Sequence, residues 1–330
     1  MAKGSAIARL DIFKRVPKDL TEPTFLTTVC FVILVLLSLS EVTRYLNVET
    51  KSDMLVDISH QDQKLNINVD IVFERLPCEV VSLDVQDVMG THLVDVQGSL
   101  VKRRIDRLGN IISEKLVEHN QYDRLQIQKN TKEQLDGKEG CQLYGYIEIN
   151  RVPGNFHIST HAYNDIVLGL SFEGYRFDYT YHINHVSFGK LHNFDIIKNK
   201  FKDQEFKNPL DGLSFIAPTD EQGQPGAIEG NFYLIAVPSY FKDLSGNLYQ
   251  VYQLTQSHHI STNTGHNILK FNYELSPITV SFKQERESMT LFLVHICAII
   301  GGIFTIVSII DAIIHKSFSL LFKQRINKLS

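Results

Sequence analysis

Two stretches of this chain run without charge for the width of a bilayer, and the residues between them fall into a two-residue alternation of apolar and polar positions. The first stretch, residues 25–40, extends through Leu46 when Glu41 and Arg44 reach the headgroups. The second, residues 289–310, is bracketed by Glu287 and Asp311 and holds His295 as its one titratable side chain. About 20 apolar residues in a helix cross the roughly 30 Å hydrocarbon core, so the pattern predicts transmembrane helices over residues 25–46 and 289–310. A cleaved signal peptide is the competing reading of the first. The long leader containing acids, with no small-residue cleavage site before Glu41, weighs against it.

The middle of the chain reads as strands. Residues 65–73 (LNINVDIVF) alternate, and residues 142–152 (QLYGYIEINRV) continue the period up to a Pro153-Gly154 turn. Further strands are predicted at 80–85, 156–159, 179–188, 232–237, 248–256 and 268–282, with a hairpin at Asp243-Leu-Ser-Gly-Asn247. Two stretches break the period: residues 101–138, with an amphipathic helix expected around 112–125, and residues 201–230, where Pro209, Pro218 and Pro225 predict a long surface excursion. Many short strands separated by turns favour an antiparallel β-sandwich. The expected fold is therefore mostly β: a lumenal antiparallel sandwich flanked by two transmembrane helices.

Charge orients this arrangement. The N-terminal arm carries Lys3, Arg9, Lys14, Arg15 and Lys18, and the C-terminal tail carries Lys316, Lys323, Arg325 and Lys328, whereas acids match the sparser bases on the inner flanks. By the positive-inside rule both termini are cytoplasmic. The expected organisation is an arm at 1–24, a span at 25–46, a lumenal domain at 47–288, a span at 289–310 and a tail at 311–330. The formal net charge of -4 then conceals a basic cytoplasmic face and an acidic lumenal domain. Of the four cysteines, Cys30 and Cys297 lie in the spans and Cys78 and Cys141 in the lumen. The lumenal pair is most simply one disulfide in an oxidising compartment, with two buried thiols as the alternative.

Enzyme signatures are missing: the chain has no G-x-S-x-G, no H-E-x-x-H, no phosphate-binding glycine loop and no C-x-x-C. No catalytic residue, cofactor or nucleic-acid partner is expected. Histidine is the remaining candidate, because eleven of the thirteen lie between the spans. Residues four apart on a strand are about 13 Å apart and residues three apart face opposite ways, so local pairs make poor chelators and no metal site is expected. A pH-responsive surface built on His157, His161, His182 and His185 is the sharper reading, since imidazole changes charge between the pH of the ER and that of the Golgi. In the second span, Ala298, Gly301, Gly302 and Thr305 form two overlapping small-xxx-small pairs, a candidate helix-packing face.

Sequence blocks along the whole chain are similar to one family. LDIFKRVPKDLTEPTF at 10–25, CEVVSLDVQDVMG at 78–90, VPGNFHISTHA at 152–162, HVSFG at 185–189, NPLDG at 208–212, VPSYFKDLSG at 237–246, and SPITVSF leading into ICAIIGGIFTIVSIID resemble the ER-Golgi intermediate compartment (ERGIC) family of vesicle proteins. The resemblance implies a two-span protein with cytoplasmic ends and a lumenal β-sandwich that cycles between ER, intermediate compartment and Golgi in coated vesicles. It also implies hetero-oligomers of family members, vesicle coat proteins bound at the termini, and sorting or retrieval of lumenal protein cargo. The blocks around Cys78 and Cys141 match positions that the family uses, which favours the disulfide. Two departures stand out. GSLVKRRIDRLGNIIS at 98–113 resembles the longer members, yet their cysteine-rich C-x-x-C loop has no counterpart here. The chain thus reads as the partner subunit of a cargo receptor, with a structural subunit lacking cargo of its own as the alternative and a thiol oxidoreductase third. Lys328 is third from the end, but no second lysine completes a dilysine signal.

Overall fold

The computed structural model describes residues 25–56, 64–96, 99–117, 123–202, 207–262 and 267–326. The basic arm and Lys328 lie outside the described residues. The chain divides into a helical unit made from its two ends and a β-rich unit, Thr50–Gln284. The helical unit contains α1 (Phe25–Leu46) and α5 (Met289–Ile326). Within them, Thr28–Leu46 and Met289–Ile313 are long and apolar enough to cross a membrane, with mean hydropathies of 1.9 and 2.5. Helix α5 continues past residue 310 to Ile326, so its last turns come from the sequence expected to be tail.

The β-rich unit is two sheets packed face to face. The first contains β1 (Glu49–Val56), β3 (Ser82–Asp87), β4 (His92–Leu93), β8 (Gly154–Ser159), β11 (Ile228–Lys242), β12 (Leu248–Thr262), β13 (Ile268–Leu275) and β14 (Ile278–Glu285). They run β1-β14-β11-β13-β8-β3-β4, with β12 on the other edge of β11. The second sheet contains β2 (Lys64–Arg75), β5 (Ser99–Ile105), β6 (Ile111–Leu116), β7 (Gly140–Asn150), β9 (Asp178–Phe188) and β10 (Leu213–Phe215), in the order β10-β9-β2-β7-β5-β6. β11 pairs in parallel with both β13 and β14. The expected 268–282 strand is broken at Ser276-Pro277, so its halves take successive parts of the same edge of β11. Proline has no N–H to give a ladder, and the neighbouring Ser276 N–H still donates to Ala236 O at 2.9 Å.

Alternation puts the apolar positions inside. Leu65, Ile67, Val69, Ile71 and Phe73 of β2 are buried, as are Phe156, Phe232 and Phe271 on the facing sheet. Register aligns the last three with His258 into a row of rings across β8, β13, β11 and β12, with centroid separations of 4.7, 5.0 and 5.3 Å. Phe188 of β9 meets Tyr273 of β13 at 5.4 Å, joining the two sheets through the core. A 3-10 turn at Cys78–Val80 follows β2, and Cys78 is disulfide-bonded to Cys141 of β7 across 63 residues. In the chain-entropy model a loop of that length is worth about 4 kcal/mol.

Several elements differ from the sequence pattern. Residues 112–116, expected in a helix, belong to β6 (Ile111–Leu116), and the helix α2 (Arg124–Asp136) starts later, behind an Asp123 cap. Helices α3 (Asn164–Phe172) and α4 (Leu191–Lys200) were not expected. The 201–230 excursion contains β10 and the start of β11.

Helix α4 docks through a second, smaller core of Ile197, Phe201, Phe241, Val251 and Phe282. At its edge the β11–β12 hairpin turns on Asp243, whose carboxylate accepts from Lys200 Nζ at 2.6 Å, Asn247 N at 2.9 Å and Asn247 Nδ2 at 3.1 Å. Lys200 holds this carboxyl well below the usual carboxylate range, and burial only partly opposes it. A depressed folded pKa stabilises the fold fully above the unfolded value of about 3.9, and that contribution is lost as pH falls toward the lower folded value. The Tm difference between the wild type and Asp243→Asn, measured on the full chain in detergent, is therefore expected to be largest at pH 5 and to shrink steadily toward pH 2. A difference independent of pH would rule out this role for the ion pair.

Candidate functional site

Residues of the outward face of β2 alternate with its core positions and form the floor of a groove. Asn66, Asn68 and Asp70 lie there with Tyr144 and Tyr146 of β7, under a wall formed by Leu191, Phe194 and Lys198 of α4 and by the segment around Asn208 and Asp211. The groove encloses about 940 Å³. Its polar groups are tied to one another: Asn68 Nδ2 donates to Ser187 Oγ at 3.0 Å and Gly189 O at 2.8 Å, and Asn208 Nδ2 to Val186 O at 2.7 Å. Asp70 Oδ1 accepts from Gln142 Nε2 at 2.7 Å and Asn184 Nδ2 at 3.1 Å. Arg103 lies 4.5 Å over the Tyr144 ring. Aromatic faces among preset polar groups suit a protein segment, binding large area at low entropic cost.

The four singled-out histidines each face a carboxylate. His182 Nε2 is 2.6 Å from Glu74 Oε1, with Nδ1 2.5 Å from Ser214 Oγ. His185 Nδ1 is 2.9 Å from Asp211 Oδ1, with Nε2 2.8 Å from Ser187 Oγ, and it lines the groove. The expectation that residues three apart face opposite ways fails here. A bulge at Asn184 sets His182 opposite Val72 and His185 opposite Asp70, two positions on one face of β2.

His157 and His161 converge as well, although the strand argument placed them about 13 Å apart. β8 ends at Ser159, and a 3-10 turn at His161–Tyr163 folds the chain back so that the two rings lie 6.1 Å apart. Both point at Asp84, a residue that the sequence pattern left unmarked, which sits directly across from His157 on β3. Asp84 Oδ2 is 2.7 Å from His161 Nδ1 and 3.4 Å from His157 Nε2, and its side chain is fully buried. Burial raises the Asp84 pKa, but the His157 contact and the Asp95 N–H outweigh it, leaving the carboxyl below its ordinary range.

The helical unit has a cluster of its own. His295 Nδ1 lies 2.8 Å from Glu41 Oε1 and 3.1 Å from Glu287 Oε1, and Arg44 reaches Glu287 at 3.4 Å and Glu41 at 3.7 Å. Tyr45 packs on Phe292 at 4.6 Å beside it. Glu41, expected to reach toward the headgroups, instead pairs with His295 of the other helix, and Arg44 with Glu287 just before it. The signal was available: the lone histidine of one span and an acid at the matching end of the other. Ala298, Gly301, Gly302 and Thr305 are all exposed, and the space over both glycines is open. Cys30 and Cys297 are free thiols.

Two apolar helices at the ends of the chain, with a grooved β-sandwich between them in sequence, define a two-helix membrane protein with one β-rich domain. Residues 107–311 match the model of the endoplasmic reticulum vesicle transporter family, and residues 7–94 match that of the Endoplasmic Reticulum-Golgi Intermediate Compartment (ERGIC) family. The chain is 32% identical to endoplasmic reticulum-Golgi intermediate compartment protein 1 of Xenopus laevis, covering 97% of this chain and 98% of that one. It is 30% identical to the Danio rerio protein of the same name over 98% and 99% of the two chains. The crystal structure of Erv41p matches with a TM-score of 0.47 and 18% identity over 70% of this chain and 99% of that one. The chain belongs to the ERGIC family of ER vesicle proteins, membrane proteins of ER-Golgi vesicular transport.

Interhelical polar contacts in a bilayer are worth on the order of 1 kcal/mol, about fivefold in an equilibrium. In full-length protein carrying Tyr45→Cys and Phe292→Cys, His295→Leu is expected to lower disulfide formation between the helices in membranes about fivefold. Unchanged cross-linking would show that the cluster does not hold the pair.

Proposed function

We propose that this chain is one subunit of a hetero-oligomeric receptor that sorts or retrieves lumenal proteins between ER and Golgi. The observation that carries the reading is the groove on the outer face of the six-stranded sheet, whose Tyr144 and Tyr146 are 39% and 38% exposed although both are large and aromatic. Family membership over nearly the whole chain supports the trafficking role. In this reading the β-rich domain, residues 47–288, is lumenal, and both termini are cytoplasmic, where coat proteins bind them. The exposed face of Ala298, Gly301, Gly302 and Thr305 takes a helix of a related family member. Cys78–Cys141 is the lumenal disulfide.

The positive-inside reading is tested with protease added to sealed microsomes. Both ends are expected to be trimmed, leaving a protected fragment that contains residues 25–310; loss of the middle region from intact vesicles overturns the topology.

His182 and His185 make cargo binding responsive to pH in this proposal. Protonation of His185 turns its contact with Asp211 into an ion pair at the groove, within reach of Asp70 across the strand, and His182 does the same with Glu74. Purification of the full-length protein from solubilised ER and Golgi membranes is expected to retain soluble ER proteins as well as family members. Tyr144→Ala with Tyr146→Ala is expected to lose the soluble proteins and keep the membrane partners. The retained amount is expected to differ between about pH 7.2 and pH 6, and His182→Gln with His185→Gln to remove the difference. Membrane partners alone, with no soluble protein at either pH, would establish the structural-subunit alternative.

A further inference from the structure

We propose that Asp84, His157 and His161 form a binding site for a divalent transition-metal ion, zinc by its donor set, with one coordination position open. The three donor atoms, Asp84 Oδ2, His157 Nε2 and His161 Nδ1, all lie within 4.8 Å of one another. A tetrahedral zinc ion with bonds of about 2.0–2.2 Å holds its ligands about 3.4 Å apart. His157 Nε2 is already 3.4 Å from Asp84 Oδ2, and His161 Nδ1, at 2.7 Å, needs only to draw back. Two imidazoles and one carboxylate select zinc and its late first-row neighbours over calcium and magnesium, which take oxygen ligands.

The surroundings position each of the three donors. Asp84 Oδ1 accepts from the Asp95 N–H at 2.7 Å, while Oδ2 is buried with no hydrogen bond among the described residues. His161 Nδ1 and His157 Nε2 stand 2.7 and 3.4 Å from Oδ2 without hydrogen-bond alignment, which leaves this buried oxygen available to an ion shared with both rings. His157 Nδ1 is 3.3 Å from Asn155 Oδ1, an acceptor that fixes the proton on Nδ1 and leaves Nε2 to bind the ion. His161 is held in the turn by its own N–H, which donates to Ser159 Oγ at 3.2 Å, and by Thr160 Oγ1, which is bonded to Tyr179 OH at 2.7 Å.

The open position follows from exposure. The His161 side chain is 53% exposed and borders a cavity of about 640 Å³ that also contains Arg176, Glu229 and Lys270, the last directly across from His157 on β13. With one carboxylate in the ligand set, the bound ion leaves a local charge of +1, and Arg176 and Lys270 add to it against the single negative charge of Glu229. The fourth ligand is accordingly water or a carboxylate from a bound protein.

Zinc binding is measured on EDTA-stripped full-length protein in detergent, by competition with a chromogenic chelator and by the visible bands of the Co²⁺ form. One Zn²⁺ per chain is expected, unaffected by millimolar Mg²⁺ or Ca²⁺. His161→Gln, at an exposed ring where folding is least at risk, and Asp84→Asn are each expected to weaken binding at least 100-fold, and Asn155→Ala 10–100-fold through the orientation of His157. A plain His–Asp ion-pair cluster predicts no stoichiometric metal and no effect of Asn155→Ala. The other cluster of this kind, Glu41, Glu287 and His295, is controlled with His295→Gln, which is expected to leave affinity unchanged. Failure to bind one equivalent, binding that survives His161→Gln and Asp84→Asn, or binding lost with His295→Gln overturns the assignment.

Discussion

β11 is fifteen residues long and largely buried, so every N–H and C=O along it needs a partner inside the protein. The larger sheet is arranged around meeting that demand. β12 covers one edge for its full length through the hairpin at Asp243. The other edge is shared: β13 takes Glu229 to Ala236 and β14 takes Ser239 to Lys242, both parallel, with the break at Ser276-Pro277 between them. Because β13 is fixed in this way, its free edge sets the register of β8, and β8 sets that of β3. Lys270, His157 and Asp84 stand in one line across the sheet for that reason. The carboxylate and the imidazole meet through strand register, and the later turn only has to bring in His161.

Much of this was legible wherever burial on one face enforced a period. β2, β7 and β9 appear in the sequence nearly at their observed bounds, because each buries alternate residues against the facing sheet. The pattern fails where that condition lapses. All six residues of β6 are exposed, so Ile111, Ile112 and Leu116 carry no period-two signal and residues 112–116 read as part of a helix. α2 fails in the opposite sense: its buried face is Ile127, Thr131 and Gln134, two of them polar, and no apolar stripe marks it. α3, with NDIVLGLSF, is a short apolar run of the kind that periodicity cannot assign to helix or strand. The parallel pairing of β13 and β14 was invisible because it depends on which edge of β11 is vacant, a property of the assembled sheet.

The histidines show the same limit at the level of the site. Spacing along an ideal strand separates His157 from His161 and points His182 away from His185, and both inferences are correct for an unbroken strand. A strand end undoes the first and a bulge the second. Irregular backbone is therefore what concentrates titratable groups here, and it occurs at the two places where β8 and β9 cease to be regular. Asp84 was harder still to find. It lies on the face of β3 turned away from the core residues Leu83 and Val85, yet is buried, and only the cross-strand partner reveals why an acid is tolerated there.

The helical unit obeys a different physics. In hydrocarbon an apolar side chain gains nothing by leaving lipid for a neighbouring helix, so association rests on close packing and polar contacts. α1 and α5 are joined by the second: Glu41, Arg44, Glu287 and His295 gather at the C-terminal end of one helix and the N-terminal end of the other, with Tyr45 on Phe292 beside them. That contact makes no use of Ala298, Gly301, Gly302 or Thr305, which remain exposed further along α5. A face of small residues stabilises a helix pair only when another backbone comes close enough to touch it, and among the described residues none touches this one. The polar cluster joins the two helices at one end and makes no use of the small residues, and in the proposed function it is that unused face that takes the helix of a second protein.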